Sequence, residues 1–310
     1  MARDSRPGRH QPARPASIST RDGRALAYAD YGDPRGTPVF YFHGFPGSRL
    51  EASMGQEAAR RIGVRLIAVE RPGFGWSDHL PGRLITDWPD DVLDLARALG
   101  LTRFAVLGVS AGGPYAAACA ARIPDHLTAA GIVSGLAPTT PQLLRELLPF
   151  NRAGLRLALR APGVLAAAAP LVQLVTGSAA GFLVGNLARS VAEPDRALLQ
   201  GSPLGVVLAR SFEEAVRHGA AGMVREAILF ARPWGEWLSS IGLDVWLWHG
   251  ERDRVVPAAM GRAMERAIPR CHATYYPDEG HFSLIARHGE EILRTLAGRR
   301  AGHSAAPVTS

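Results

Sequence analysis

Residues 103–122, RFAVLGVSAGGPYAAACAAR, hold the transition that most limits how this chain can fold. The apolar run Phe104–Leu107 passes into Gly108-Val109-Ser110-Ala111-Gly112-Gly113, and a small-residue stretch, Ala111–Arg122, continues with helical character until it stops near Pro124. An unbroken apolar run of this kind marks a strand covered on both faces. Turning from such a strand straight into a helix leaves little room at the bend, and the small neighbours of one serine relieve that crowding. A strand buried on both sides and followed at once by a helix belongs to a parallel sheet layered between helices.

The same unit recurs along the chain. Pro38–Phe42, Val64–Val69, Leu127–Val133, Val245–Trp248 and His272–Tyr276 read as further buried strands. Arg49–Ile62, Ile85–Leu99, Ala258–Ala267 and Phe282–Ala297 read as helices, the second with Val92, Leu95 and Leu99 at helical spacing. Ahead of them, Ser17–Thr20 and Arg24–Tyr31 are short strands joined at Asp22-Gly23, a pairing typical of a type I′ hairpin turn. The expected fold class is therefore α/β, a mostly parallel sheet with helices on both faces. In such sheets ligands bind beyond the carboxyl ends of the strands. The stretches HGFPG (43–47), ERPGFGWSD (70–78), GVSAGG (108–113), GERD (250–253) and DEGH (278–281) each follow a strand, so they should converge on one rim.

From Leu136 to Ile241 the alternation stops. This Leu/Ala-rich segment has prolines at 138, 141, 149, 162, 170, 194 and 203, and reads as a string of short helices forming a cap over the rim. The expected organisation is a disordered basic tail over 1–16, a core over 17–135 and 242–298, the cap over 136–241, and a flexible tail over 299–310. Residues 161–188 carry no formal charge, but Pro162, Pro170, Gly163, Gly177, Gly181 and Gly185 interrupt them. The stretch fits an apolar cap lining or contact with a lipid surface better than a stable membrane span.

A serine hydroxyl becomes a nucleophile only beside a base and beside donors for the oxyanion. Gly108 and Gly112 flank Ser110 at the spacing G-x-S-x-G, in the strand–turn–helix setting this chemistry needs. The alternative reading, a serine that only caps the next helix, is common. Two later signals favour the first. Asp253, after the strand Val245–Trp248, is a carboxylate able to orient an imidazole, with Glu251 a less well-placed rival. His281, after the last strand, is the candidate base.

Taken together, HGFPGS (43–48), ERPGFGWSD, GVSAGG, GERD and EGH (279–281) resemble the α/β-hydrolase fold family, in particular its capped serine esterase/lipase-like members. The resemblance runs from about Ser17 to Ala297. It implies Ser110 as nucleophile, Asp253 as acid and His281 as base, in the family's chain order. It further implies an oxyanion hole from the backbone N–H groups of Phe45 and Ala111, with His43, Gly44 and Trp76 framing the substrate pocket. The implied activity is hydrolysis of a small-to-medium apolar carboxylic ester through an acyl-enzyme, with no metal and no cofactor. Dehalogenases and epoxide hydrolases of this fold place aspartate at the elbow, which Ser110 disfavours. Ala111, and cap acids without an assignable pattern (Glu146, Glu193, Asp195, Glu213, Glu214, Glu226), disfavour an aminopeptidase. Carbon–carbon bond hydrolysis, cofactor-free peroxidase chemistry and a non-catalytic ligand binder stay open as alternatives. Leu165, Leu171, Leu174 and Leu183 are candidates for either the acyl pocket or the cap's own core.

The 310 residues, 47% hydrophobic, suffice for a large core. The net charge is +7 and every one of the 35 basic side chains is arginine. The arginines are dispersed and do not interleave with stacking aromatics, which argues against a nucleic-acid partner. Cys119 and Cys271 imply no disulfide framework, and the N-terminus lacks the apolar stretch of a signal peptide, so a cytoplasmic location is expected. The oligomeric state is not legible.

Overall fold

The computed structural model describes residues 15–298; of the tails expected over 1–16 and 299–310, residues 1–14 and 299–310 lie outside the described residues. Eight strands form one sheet: β1 (Ala16–Ser19), β2 (Ala25–Gly32), β3 (Thr37–Phe42), β4 (Val64–Val69), β5 (Phe104–Val109), β6 (Leu127–Val133), β7 (Val245–Gly250) and β8 (Cys271–Tyr276). Their spatial order is β1-β2-β4-β3-β5-β6-β7-β8. β1 and β2 run antiparallel to their neighbours, and the six strands from β4 to β8 are mutually parallel. The strand β1 begins at Ala16, inside the stretch expected as tail.

Alternation along the strands builds two cores. In β3, Phe40 and Phe42 point to one face and Val39 and Tyr41 to the other. The helices α2 (Trp88–Ala98), α3 (Gly113–Arg122) and α12 (Ala258–Ala267) pack over the first face; α1 (Gln56–Arg61) and α13 (His281–Leu296) pack over the second. Both faces are filled, which is why the strands read as unbroken apolar runs.

Two local expectations are corrected. The hairpin between β1 and β2 is not type I′, which requires positive φ at both central residues. Only Gly23 is left-handed, at φ +85°, and Thr20 N–H donates to Arg24 O while Gly23 N–H donates to Thr20 O. That is a three-residue loop with glycine at its left-handed end. The helix expected over 49–62 is a 3-10 turn, Arg49–Gly55, followed by the short α1, with Gly55 at the junction.

Between β6 and β7 lies the helical insert: α4 (Pro141–Glu146), α5 (Pro149–Arg160), α6 (Pro162–Ala167), α7 (Ala169–Ser178), α8 (Ala180–Ser190), α9 (Glu193–Gly201), α10 (Pro203–Ala215) and α11 (Ala221–Ala231). Six of these eight open with proline in the first turn, where its missing N–H costs nothing. Among the described residues no single helix is long and apolar enough to cross a membrane; α7 and α8 pass that test only as a pair bent by 81°. Leu171 and Leu174 stay out of the cap's buried apolar clusters. They stand outward on α7, at 61% and 62% exposure, while buried apolar clusters form on α8, α9 and α10 around Val184, Leu199, Leu208 and Phe212, and on α5 and α11 around Ala158, Val224 and Ile228, where Leu165 packs.

Candidate active site

Ser110 follows β5 directly and opens a 3-10 turn, Ser110–Gly112, that leads into α3. Its backbone is left-handed, φ +56°, a conformation that costs a non-glycine residue of order 1–3 kcal/mol. The flanking glycines are obligatory. A Cβ on Gly108 would lie 2.2 Å from Gly112 O, and one on Gly112 would lie 2.1 Å from Phe42 O. The chain folds so tightly here because β5, the elbow and the end of β3 touch through backbone alone. Ser110 is left 9% exposed, and its hydroxyl makes no hydrogen bond to another described residue.

Asp253 lies in the loop after β7. Its Oδ1 accepts the N–H groups of Val255 and Val256, both at 2.8 Å. Its Oδ2 pairs with His281 Nδ1 at 2.7 Å. His281, the first residue of α13, is 4% exposed. Donation from Nδ1 to the carboxylate leaves Nε2 with its lone pair, the tautomer a base requires. Burial works to lower the imidazole pKa; the charge and hydrogen bond of Asp253, then the charges of Asp195 and Glu51, outweigh it and raise the pKa above 6.5. Glu251, the rival carboxylate, is turned away to Arg262 at 2.6 Å.

The loop after β3 runs beside Ser110. A Cβ on Gly44 would lie 3.6 Å from Ser110 Cβ and 3.6 Å from Glu51 Oε2. Neither Phe45 N–H nor Ala111 N–H donates to another described residue, whereas Gly44 N–H is held by Glu51 Oε2 at 2.8 Å. His43 is completely buried, with Nδ1 2.9 Å from Gly44 O and Nε2 accepting Arg71 N–H at 3.3 Å. Burial, reinforced by the Arg71 charge, keeps its pKa well below the ordinary value. His43 therefore supports the loop from beneath. Trp76 is half-buried and points at the cap: its Nε1–H donates to Glu214 at 2.8 Å and its ring meets His218.

A profile of the alpha/beta hydrolase fold matches residues 37–287, most of the chain. The chain belongs to the alpha/beta hydrolase fold family. A non-heme chloroperoxidase of Streptomyces lividans is 33% identical over 39% of this chain and 45% of its own length. A bifunctional esterase/perhydrolase of Acinetobacter calcoaceticus is 32% identical over the same shares. The chain thus spans less than half the length of these curated relatives. A hydrolase from Pseudomonas aeruginosa PA01 superposes with a TM-score of 0.70 at 18% identity, covering 93% of this chain and 100% of that one, a likeness of fold.

What the sequence hid in this alpha/beta hydrolase is the use of the cap's acids. Glu226 on α11 is buried and holds Arg71 through both oxygens (2.5 and 2.9 Å), Arg83 at 2.8 Å and Tyr115 OH at 2.9 Å. Arg71 in turn donates to the carbonyls of His43 (2.6 Å) and Gly44 (3.0 Å). Burial alone would raise the Glu226 pKa, but the two arginines pull it down to about 2. Glu214 on α10 bridges Arg49 at 2.6 Å and Arg217, and Arg49 also pairs with Glu70. Ser211 on α10 accepts Ser48 N–H at 2.8 Å. The bonds of Glu226 to Arg71, Arg83 and Tyr115, of Glu214 to Arg49 and of Ser211 to Ser48 join the cap to the rim. Only the charge alternation ERP (70–72) against scattered cap glutamates hinted at them, and partners 155 residues apart share no local pattern.

A cleft of about 390 Å³ opens between 191–196 of the cap and 251–254. It is lined by Arg196, Arg252 and Arg254 with Glu193, Glu251 and Asp253, and includes neither Ser110 nor His281. It touches the site through Asp253 alone among Ser110, Asp253 and His281.

Proposed function

We propose that this protein is a serine hydrolase that cleaves a small-to-medium apolar carboxylic ester through an acyl-enzyme. The observation that carries the reading is the 2.7 Å Asp253–His281 pair, oriented by two further backbone bonds to Asp253, at the rim where Ser110 is held in left-handed backbone. His281 Nε2 takes the proton of Ser110 as Oγ attacks the acyl carbon. The N–H groups of Phe45 and Ala111 receive the oxyanion; in such sites one donor lowers the barrier by ~3–4 kcal/mol. His281 then protonates the departing alcohol. A water, deprotonated by the same imidazole, attacks the acyl-enzyme and releases the acid. Asp253 fixes the ring and stabilises its charged form.

The base must be neutral to act. Because the His281 pKa is raised, kcat/KM should climb with pH through an ionisation above 6.5 and then level. The direct test is hydrolysis of a short p-nitrophenyl acyl ester by the wild type and Ser110→Ala. The variant should lose nearly all acceleration above background; wild-type turnover in it refutes the assignment.

Cofactor-free peroxidase chemistry is a second reading, supported by the likeness to the chloroperoxidase. A halide/peroxide assay on the same variant pair separates the two. The cap also supports contact with a lipid surface. Phe150, Leu157, Val164, Leu171, Leu174 and Phe182 are exposed on α5 to α8, and no acidic residue falls between Glu146 and Glu193.

A further inference from the structure

The helix α13 begins at His281, and the N–H groups of its first turn have no intrahelical acceptor. The residue placed to cap them is Gly280, which has no side chain. The oxygens come instead from the cap. Asp195, in the first turn of α9, accepts His281 N–H at 2.8 Å through Oδ2, and Phe282 N–H at 2.9 Å and Ser283 N–H at 2.8 Å through Oδ1. Asp195 is fully buried, 0% exposed. The glycine of EGH is explained by the same contact, because a Cβ on Gly280 would lie 2.3 Å from Asp195 Oδ2.

We infer that Asp195 is a positioning residue: the seated cap fixes the backbone that carries His281 and sets a negative charge behind its imidazole, so that the cap completes the base as well as covering it. The inference rests on His281 being the general base. Among the described residues, the titratable groups that act on that ring include Asp253 from the loop after β7, Asp195 from α9, Glu51 from the 3-10 turn after β3, and His249 from β7. Asp253 acts most strongly among the charges; Asp195 and Glu51 add in the same direction. Neutralising Asp195 removes one of the charges that favour the imidazolium. The base form then persists to lower pH, and the loosened first turn lowers turnover.

The experiment is the pH profile of kcat/KM for ester hydrolysis by the wild type, Asp195→Asn and Gly280→Ala, with thermal unfolding of each. Asp195→Asn should move the acid limb to lower pH and reduce kcat by up to about 10²-fold, the scale of a misplaced catalytic group, with a smaller change in KM. Gly280→Ala, which pushes the carboxylate away from the other side, should do the same, and it carries the comparison if Asp195→Asn does not fold. Wild-type acid limbs in both variants overturn the inference, as does a drop in Tm with the acid limb unmoved, which marks a purely structural contact. A serine-directed phosphonate on Ser110 separates the two layers: labelled Ser110 with a wild-type profile in Asp195→Asn sinks this inference alone.

Discussion

Gly112 stands where the fold permits no side chain, 2.1 Å from Phe42 O were a Cβ built on it. Gly112→Ala must push the elbow away from β3, and overpacking of that kind costs about 1–3 kcal/mol. Denaturant unfolding should show a loss of this size, and activity should fall further than stability because Ser110 is displaced with the turn. An alanine variant with wild-type midpoint and turnover would mean that the elbow is not held by that contact. At this scale much of the candidate site's geometry is legible. Ser110, Asp253 and His281 stand out as candidates because each follows a strand and the glycines around Ser110 are local in sequence. Asp195 and Glu51 do not, because what makes them matter is a bond to a backbone 86 and 7 residues away. His43 is a candidate from its place in HGFPG, and its buried ring accepts Arg71 N–H.

The seam between cap and core turns on one carboxylate. Glu226 neutralises Arg71 and Arg83 out of contact with water, and Arg71 holds the loop that carries Phe45. Removing one partner of a buried ion cluster leaves the other charges uncompensated, typically a loss of about 3–5 kcal/mol. Glu226→Gln should therefore lower the urea midpoint strongly. The pH dependence follows from the depressed pKa. The stabilisation is fully present above the ordinary value of 4.5 and is lost as pH falls through about 2. The gap in stability between wild type and Glu226→Gln should be constant above pH 4.5 and close below it; a gap that stays open at pH 2 contradicts the ion-pair account. The parallel strands and most helices were legible because apolar periodicity is a local signal. The inward and outward faces of the cap helices were not. Leu171 and Leu174 have the spacing of a buried face, and only the packing of α10 against α8 and α9 shows that α7 turns that face outward.

For the molecule as a whole, the outward apolar side chains and the acid-free stretch of α5 to α8 occur in a chain of net charge +7. Four arginines, Arg152, Arg156, Arg160 and Arg189, share that stretch. Basic groups attract anionic lipid over about a Debye length, ~10 Å at 0.1 M salt. The protein should co-sediment with vesicles containing phosphatidylserine more than with phosphatidylcholine alone, and the difference should shrink in high salt. Leu171→Glu with Leu174→Glu should weaken the binding without reducing hydrolysis of a soluble ester; equal binding by the variant assigns the lipid contact elsewhere. The account of the active site itself is tested most directly by intact-mass analysis and peptide mapping after treatment with a serine-directed phosphonate. A single adduct, mapped to Ser110, formed only in folded protein and slowed severely in His281→Ala, is the predicted result. An unmodified Ser110 in protein that still turns over ester, or an adduct on another residue, would contradict it.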